Sequence, residues 1–218
     1  MADPPDFFFA DQPWSLTGFA SRLIAWASLE PVPPAGAPIG EHGGAQQRGR
    51  IALAAEWACR TWPGDLAEIG VYSAETTVLL AEVARRHGRR VLALDSWPPG
   101  TPYDLAEKIM PIAYERLAPY RDVVDVVRAA AEGPEARAAI QARRLAMAFI
   151  DADKVHEHVR AQISAVLPVC SGPVAIDDAY SIDVLRAADE MARETPHWRH
   201  LRFSGTRETW LLPEDATR

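Results

Sequence analysis

Lysine is nearly missing from this chain. Of its 23 basic residues only Lys108 and Lys154 are lysine, the rest being arginine. With the alanine richness, that reads as genomic composition and carries no mechanistic weight. Cysteine is almost as scarce: Cys59 and Cys170 lie in apolar contexts, which suggests buried thiols in a reducing compartment, with a Cys59–Cys170 disulfide as the lesser alternative. No run approaches the roughly 18 apolar residues of a membrane span. The opening MADPPDFFFA has acids and prolines where a secretory leader carries positive charge, so a cytoplasmic location is expected. Positive charge is in deficit overall. A net charge of −7 argues against nucleic acid as the main partner.

The 218 residues suit one domain with an appendage. Residues 1–64 read as that appendage, a helical lid and subunit contact. Leu16–Leu29 has helical apolar spacing and stops at Pro31, in a proline run that cannot stay helical. The glycine-rich EHGGAQQRGR reads as a mobile stretch or lid, and Ile51–Thr61 as a second helix. Phe7, Phe8, Phe9 and Trp14 form an apolar set suited to covering a pocket or a partner copy, so a homo-oligomer is expected.

From Asp65 to residue 218, strand and helix alternate, which indicates α/β architecture. Strands are expected at 66–72, 90–94, 123–127, 146–150 and 174–176, with a closing hairpin of 200–203 and 208–212. Helices are expected at 75–86, 103–117 (broken at Pro111), 134–143, 155–167 and 182–194.

Two of these strands end abruptly in carboxylates. Ala146–Ile150 runs into Asp151 and Asp153, and Val174–Ile176 into Asp177 and Asp178. The helix between them makes the strands parallel by a right-handed crossover. Adjacent strands lie about 5 Å apart, so the acids converge at the carboxyl edge, where open α/β folds bind ligands. A divalent cation such as Mg2+ is the simplest way to relieve the repulsion expected among Asp151, Asp177 and Asp178.

A second constellation sits at the first strand. Glu68-Ile69-Gly70-Val71-Tyr72-Ser73-Ala74 turns from strand into helix, and 27 positions beyond Glu68 the second strand ends in Asp95. Gly70 allows close backbone approach, the helix start offers free N–H groups, and a carboxylate at Asp95 can accept from both hydroxyls of a ribose. Nicotinamide dinucleotides need further glycines where Tyr72, Ser73 and Ala74 stand. A cofactor without a pyrophosphate fits better, and S-adenosylmethionine (SAM) is the common one. Glu68 then takes the cofactor's ammonium, Thr76 its carboxylate, and Trp97, after Asp95 and Ser96, packs on adenine.

GDLAEIGVYSAETTVLLA, LALDSWPPG, FIDAD, and IDDAY followed by LRAADEM together resemble the macrocin O-methyltransferase family over residues 62–195. The resemblance implies a Rossmann-like class I methyltransferase fold: a seven-stranded, mostly parallel sheet with helices on both faces. It implies methyl transfer from SAM to a hydroxyl of a small molecule, with a sugar as acceptor in antibiotic biosynthesis. It assigns Asp151, Asp177 and Asp178 to a divalent metal, Asp153 to the general base and Asp95 to the ribose. The chain is also similar to catechol O-methyltransferases, in which an acid followed three positions later by lysine supplies ligand and base. Asp151 and Lys154 have that spacing, so Lys154 is a second candidate base. The chain departs from the family at Ala74 and Glu75, where glycines are usual, and RAAAEG after the third strand offers no recognisable adenine contact. His156 and His158, two apart on a helix, face different sides and read as surface or supporting residues. A cofactor-binding scaffold without activity is the alternative from another class.

Overall fold

The computed structural model describes residues 39–101, 104–203 and 206–214, with side chains in the first helix from Gln47 onward. The expected Leu16–Leu29 helix and the Phe7–Phe9 cluster lie outside the described residues.

The first helix, α1 (Ile39–Thr61), precedes the alternating part of the chain. There follow β1 (Asp65–Ile69), α2 (Glu75–Arg86), β2 (Val91–Asp95), a wide turn at Leu105–Ile109, α3 (Met110–Leu117), β3 (Val124–Arg128), α4 (Pro134–Gln141), β4 (Leu145–Ile150), α5 (His156–Val166), β5 (Val174–Ile176), α6 (Ile182–Glu194), β6 (Trp198–Arg202) and β7 (Thr209–Pro213). The sheet has seven strands in the order β3-β2-β1-β4-β5-β7-β6. All neighbours are parallel except β7, which runs antiparallel to both β5 and β6. Strands β1 and β4 are buried on both faces, as expected for a parallel sheet covered by helices.

Helix α1 departs from expectation. It begins at Ile39 and runs through the glycine-rich stretch read as mobile. The four glycines of this helix cost about 1 kcal/mol each at interior positions, and burial of the rest offsets that: Ile51, Ala54, Trp57 and Ala58 have no exposed surface. Their spacing forms one apolar stripe, and it joins the same core cluster as Leu66, Leu80 and Phe149. From Ile51 onward, helix α1 therefore contributes to the core that it shares with the sheet.

The break expected at Pro111 is present. The chain makes a wide π-type turn over Leu105–Ile109 and restarts as α3 with Pro111 in its first turn, where the missing N–H costs nothing.

Both cysteines are free and buried, which excludes the disulfide. Burial pushes each thiol up to about 12. Thiolate, not thiol, is the reactive form, so the folded protein is expected to resist a thiol reagent at pH 8, and two equivalents should react once denaturant is added. Rapid labelling of the native state would contradict the packing.

Candidate functional site

The register of the sheet builds the site. Ile69 pairs with both Leu94 and Ile150, and Ile150 with Ile176. The next residues along each strand, Asp95, Gly70, Asp151 and Asp177, therefore form one row at the carboxyl edge. Backbone bonds tie that row together: Gly70 N donates to Leu94 O at 2.8 Å, Asp151 N to Ile69 O at 2.7 Å, and Asp177 N to Ile150 O at 2.9 Å. Gly70 has φ +96°, and a Cβ there would fall 2.1 Å from the carbonyl oxygen of Asp151. Only glycine lets the two chains meet so closely.

A cavity of about 680 Å³ opens along this row, lined by Gly70, Tyr72, Asp95 and Ser96 on one side and Asp151–Lys154 on the other. Its size suits a cofactor. Ala130, Ala131 and Glu132 close one wall; this is the stretch after β3 in which the sequence suggested no contact.

Asp95 has a structural duty. Its Oδ2 accepts from Val71 N and Tyr72 N, and its Oδ1 from Trp97 N, each at 2.8 Å. The carboxylate thus clasps the loop after β1 to the loop after β2. A carboxylate offers about four lone-pair sites, so acceptor capacity is left on Oδ1.

Four sequence-predicted contacts lie elsewhere. Trp97 is fully buried in the core, its indole N–H donating to Tyr72 O at 2.8 Å, so it supports the loop instead of facing adenine. Ser73 and Thr76 fall outside the lining described above; Ser73 O accepts from Arg116 at 2.9 Å. Glu68 is buried beneath the loop, where the hydroxyl of Thr77 donates to its carboxylate. It is not among the residues that line the cavity it was expected to serve.

Burial, against the Thr77 bond and helped by the Asp95 charge, pushes Glu68 up to about 8. A raised carboxyl favours folding fully below its unfolded pKa near 4.5, and that contribution is lost as pH rises through 8. Thermal stability is expected to fall from pH 5 to pH 9, by up to about 1.4 kcal/mol per pH unit, and Glu68→Gln should flatten the fall. Parallel curves for the two proteins would show that Glu68 is not the group responsible.

Asp151, Asp177 and Asp178 do converge: one oxygen from each lies within 4.8 Å of the others. Asp178 adopts the left-handed backbone region, φ 58°, tolerated by aspartate more readily than by most residues. Desolvation of the carboxyl among its neighbours, then the charge of Asp177 and a hydrogen bond with it, and the charge of Asp178, hold Asp151 well above the ordinary carboxylate range.

The cluster is not left to repel itself, however. Arg207 Nη2 lies 2.9 Å from Asp177 and 3.1 Å from Asp178, and Lys154 Nζ contacts Asp178. Gln47 Nε2 donates to Asp177 Oδ1 at 2.5 Å. A divalent cation is the simplest relief expected from the sequence; among the described residues two protein cations, Arg207 and Lys154, also meet the charge of the cluster. Neither Gln47 nor Arg207 carries a local sequence signal, since each is brought in by long-range packing.

The candidate bases differ. Asp153 accepts from Val155 N at 2.8 Å and pairs with His158 Nδ1 at 2.7 Å, so both its oxygens serve the start of α5. Lys154 sits on the acid cluster. His156 bonds Glu190 at 2.9 Å, away from His158, as their spacing requires.

A protein family described as a methyltransferase domain matches residues 67–179, 113 of the 218 residues. The chain belongs to that family. Its fold is shared with solved structures, O-methyltransferases among them. The TDP-rhamnose 3'-O-methyltransferase CalS11 of calicheamicin biosynthesis is 15% identical, with TM-score 0.56 over 97% of this chain and 96% of that one. Cofactor-bound Rv0187 from MTB is 21% identical, with TM-score 0.59 over 98% of each chain. The O-methyltransferase TomG from Streptomyces achromogenes, in complex with SAM, is 17% identical, with TM-score 0.57 over 95% of each. Among curated proteins no sequence matches. This methyltransferase domain contains no described helix long and apolar enough to cross a membrane.

Proposed function

We propose that the protein is a SAM-dependent O-methyltransferase acting on a hydroxyl of a small molecule, a sugar moiety of a bacterial secondary metabolite. The observation that carries this reading is the single cavity joining the Gly70–Tyr72–Asp95–Ser96 side to Asp151–Lys154. Bound SAM would supply an already activated methyl group. The chain's residues place the reactants: the loop from Gly70 to Tyr72, clasped by Asp95, holds the donor side, and the acid cluster faces the acceptor. Positioning of this kind can supply on the order of 7–11 kcal/mol of the barrier.

Asp151, Asp177 and Asp178 offer the hard oxygen donors that Mg2+ prefers, and they would hold it. Such an ion lowers the pKa of an acceptor hydroxyl that it touches. Lys154 is the candidate proton acceptor on this face. A catechol-type acceptor is the second reading, favoured by the contact of Lys154 with Asp178 and by the exposed apolar side chains of Val155 and Tyr180 nearby in sequence. A homo-oligomeric, cytoplasmic protein is part of the proposal.

The test is calorimetry with SAM, followed by transfer of labelled methyl to a panel of sugar nucleotides and catechols, with and without chelator. SAM binding in the micromolar range and label on a sugar hydroxyl, lost reversibly with chelator, are expected. Label on catechols alone selects the second reading. Undiminished transfer in chelator removes the metal, and no SAM binding removes the enzyme.

A further inference from the structure

We infer that Gln47 is a positioning residue for the acid cluster, its side-chain amide fixing the orientation of the Asp177 carboxylate. The inference rests on the proposed role of that cluster as the reaction centre. Gln47 is carried by α1, 130 positions away from Asp177 in sequence, and is 6% exposed. Its Nε2 donates to Oδ1, while Arg207, from the β6–β7 connection, donates to Oδ2 at 2.9 Å. A carboxylate torsion is otherwise broad and roughly two-fold. Held from two sides by different elements, this one has a single orientation.

The two donors are not equivalent. Arg207 brings a counter-charge to the carboxylate, whereas the neutral amide of Gln47 orients it without adding charge. The helix is itself anchored three residues further on, on the same face. Arg50, 3% exposed, makes a two-pronged contact with fully buried Glu208 at 2.5 and 3.0 Å. Glu208 adjoins Arg207 in sequence, so α1 fixes both the acid and the segment that carries its counter-charge. Donors that orient ligand carboxylates typically change metal affinity by about 10–100-fold.

The experiment uses Gln47→Met, which keeps length and removes the donor, with Gln47→Asn, whose amide is one methylene too short, as a second variant in case the first folds poorly. Mn2+ is the probe, titrated into the full chain and followed by electron paramagnetic resonance. Expected is Mn2+ binding weakened about 10–100-fold, with SAM affinity within about twofold and melting temperature close to wild type. A crystal structure of the variant should show the Asp177 carboxylate rotated. Unchanged Mn2+ affinity with Asp177 in its original orientation would overturn the inference. If the wild type binds no Mn2+, the metal reading fails, and the crystal structure alone decides: rotation supports the positioning role and retention of the orientation overturns it.

Discussion

Arg50→Met is expected to destabilise the fold by about 3–5 kcal/mol, because it leaves a buried carboxylate without its partner. Glu208 has no exposed surface, and its two oxygens lie 2.5 and 3.0 Å from the Arg50 guanidinium. For a chain of this size each kcal/mol shifts the melting temperature by about 2–4 °C, so a drop of roughly 6–20 °C should appear by circular dichroism. Replacing both partners, in Arg50→Met with Glu208→Leu, is expected to recover most of the loss, since the cost lies in the stranded charge. A single mutant that melts within about 2 °C of wild type would show that water reaches Glu208. The same contact bears on truncation. A chain beginning at Ile51 lacks Arg50 and Gln47, so it loses more than a lid.

Lys154→Met is expected to lower the methyl-transfer rate by about 10²–10⁴-fold, the usual contribution of a positioned base, while SAM affinity changes little. Lys154→Arg is the informative companion. It keeps the positive charge against Asp178 but cannot give up its proton in the physiological range. Equal losses in Met and Arg assign the proton-transfer role; rescue by Arg would reduce Lys154 to a counter-ion. Burial alone would lower the Lys154 pKa, but the hydrogen bond and charge of Asp178 outweigh it and hold the ammonium above its ordinary value. The rate is therefore expected to climb as pH rises toward that value, and the climb should vanish in Lys154→Arg. Asp153→Asn is expected to be milder on chemistry, because both oxygens of Asp153 are already used by Val155 and His158.

Most of the strands were legible because they are short apolar runs closed by polar residues; β6, WRHLR, is the exception and was found by its hairpin partner. All seven lie within about two residues of expectation, except that the first ends at Ile69 and not at Tyr72; the positive φ of Gly70 ends the pairing. The acid cluster was legible because two strand ends with consecutive acids leave little freedom once the crossover is parallel. What could not be read was contact across distance. Nothing in AQQRGR indicates that Gln47 meets Asp177 or that Arg50 meets Glu208, and the glycines around it argued against a helix. Glu68, Trp97 and Thr76 were placed on the cavity by proximity in sequence. The strand alternation puts Glu68 on the opposite face from its neighbours, and the loop folds Trp97 inward to bond Tyr72.

The near-contact of Gly70 with the Asp151 carbonyl has a mechanical consequence. The donor loop leaves from one side of this junction and the acid cluster from the other, and the 2.7 Å bond from Asp151 N to Ile69 O closes it. On the proposed assignment of the two sides of the cavity, the spacing between methyl donor and acceptor would be set by this junction of two backbones. On the same reading, closure of a covering segment would exclude water or admit substrate without altering this junction. Improved turnover on a new acceptor should accordingly arise from substitutions around the rim, where the acceptor is oriented, and not from loosening the sheet edge that carries both reactants.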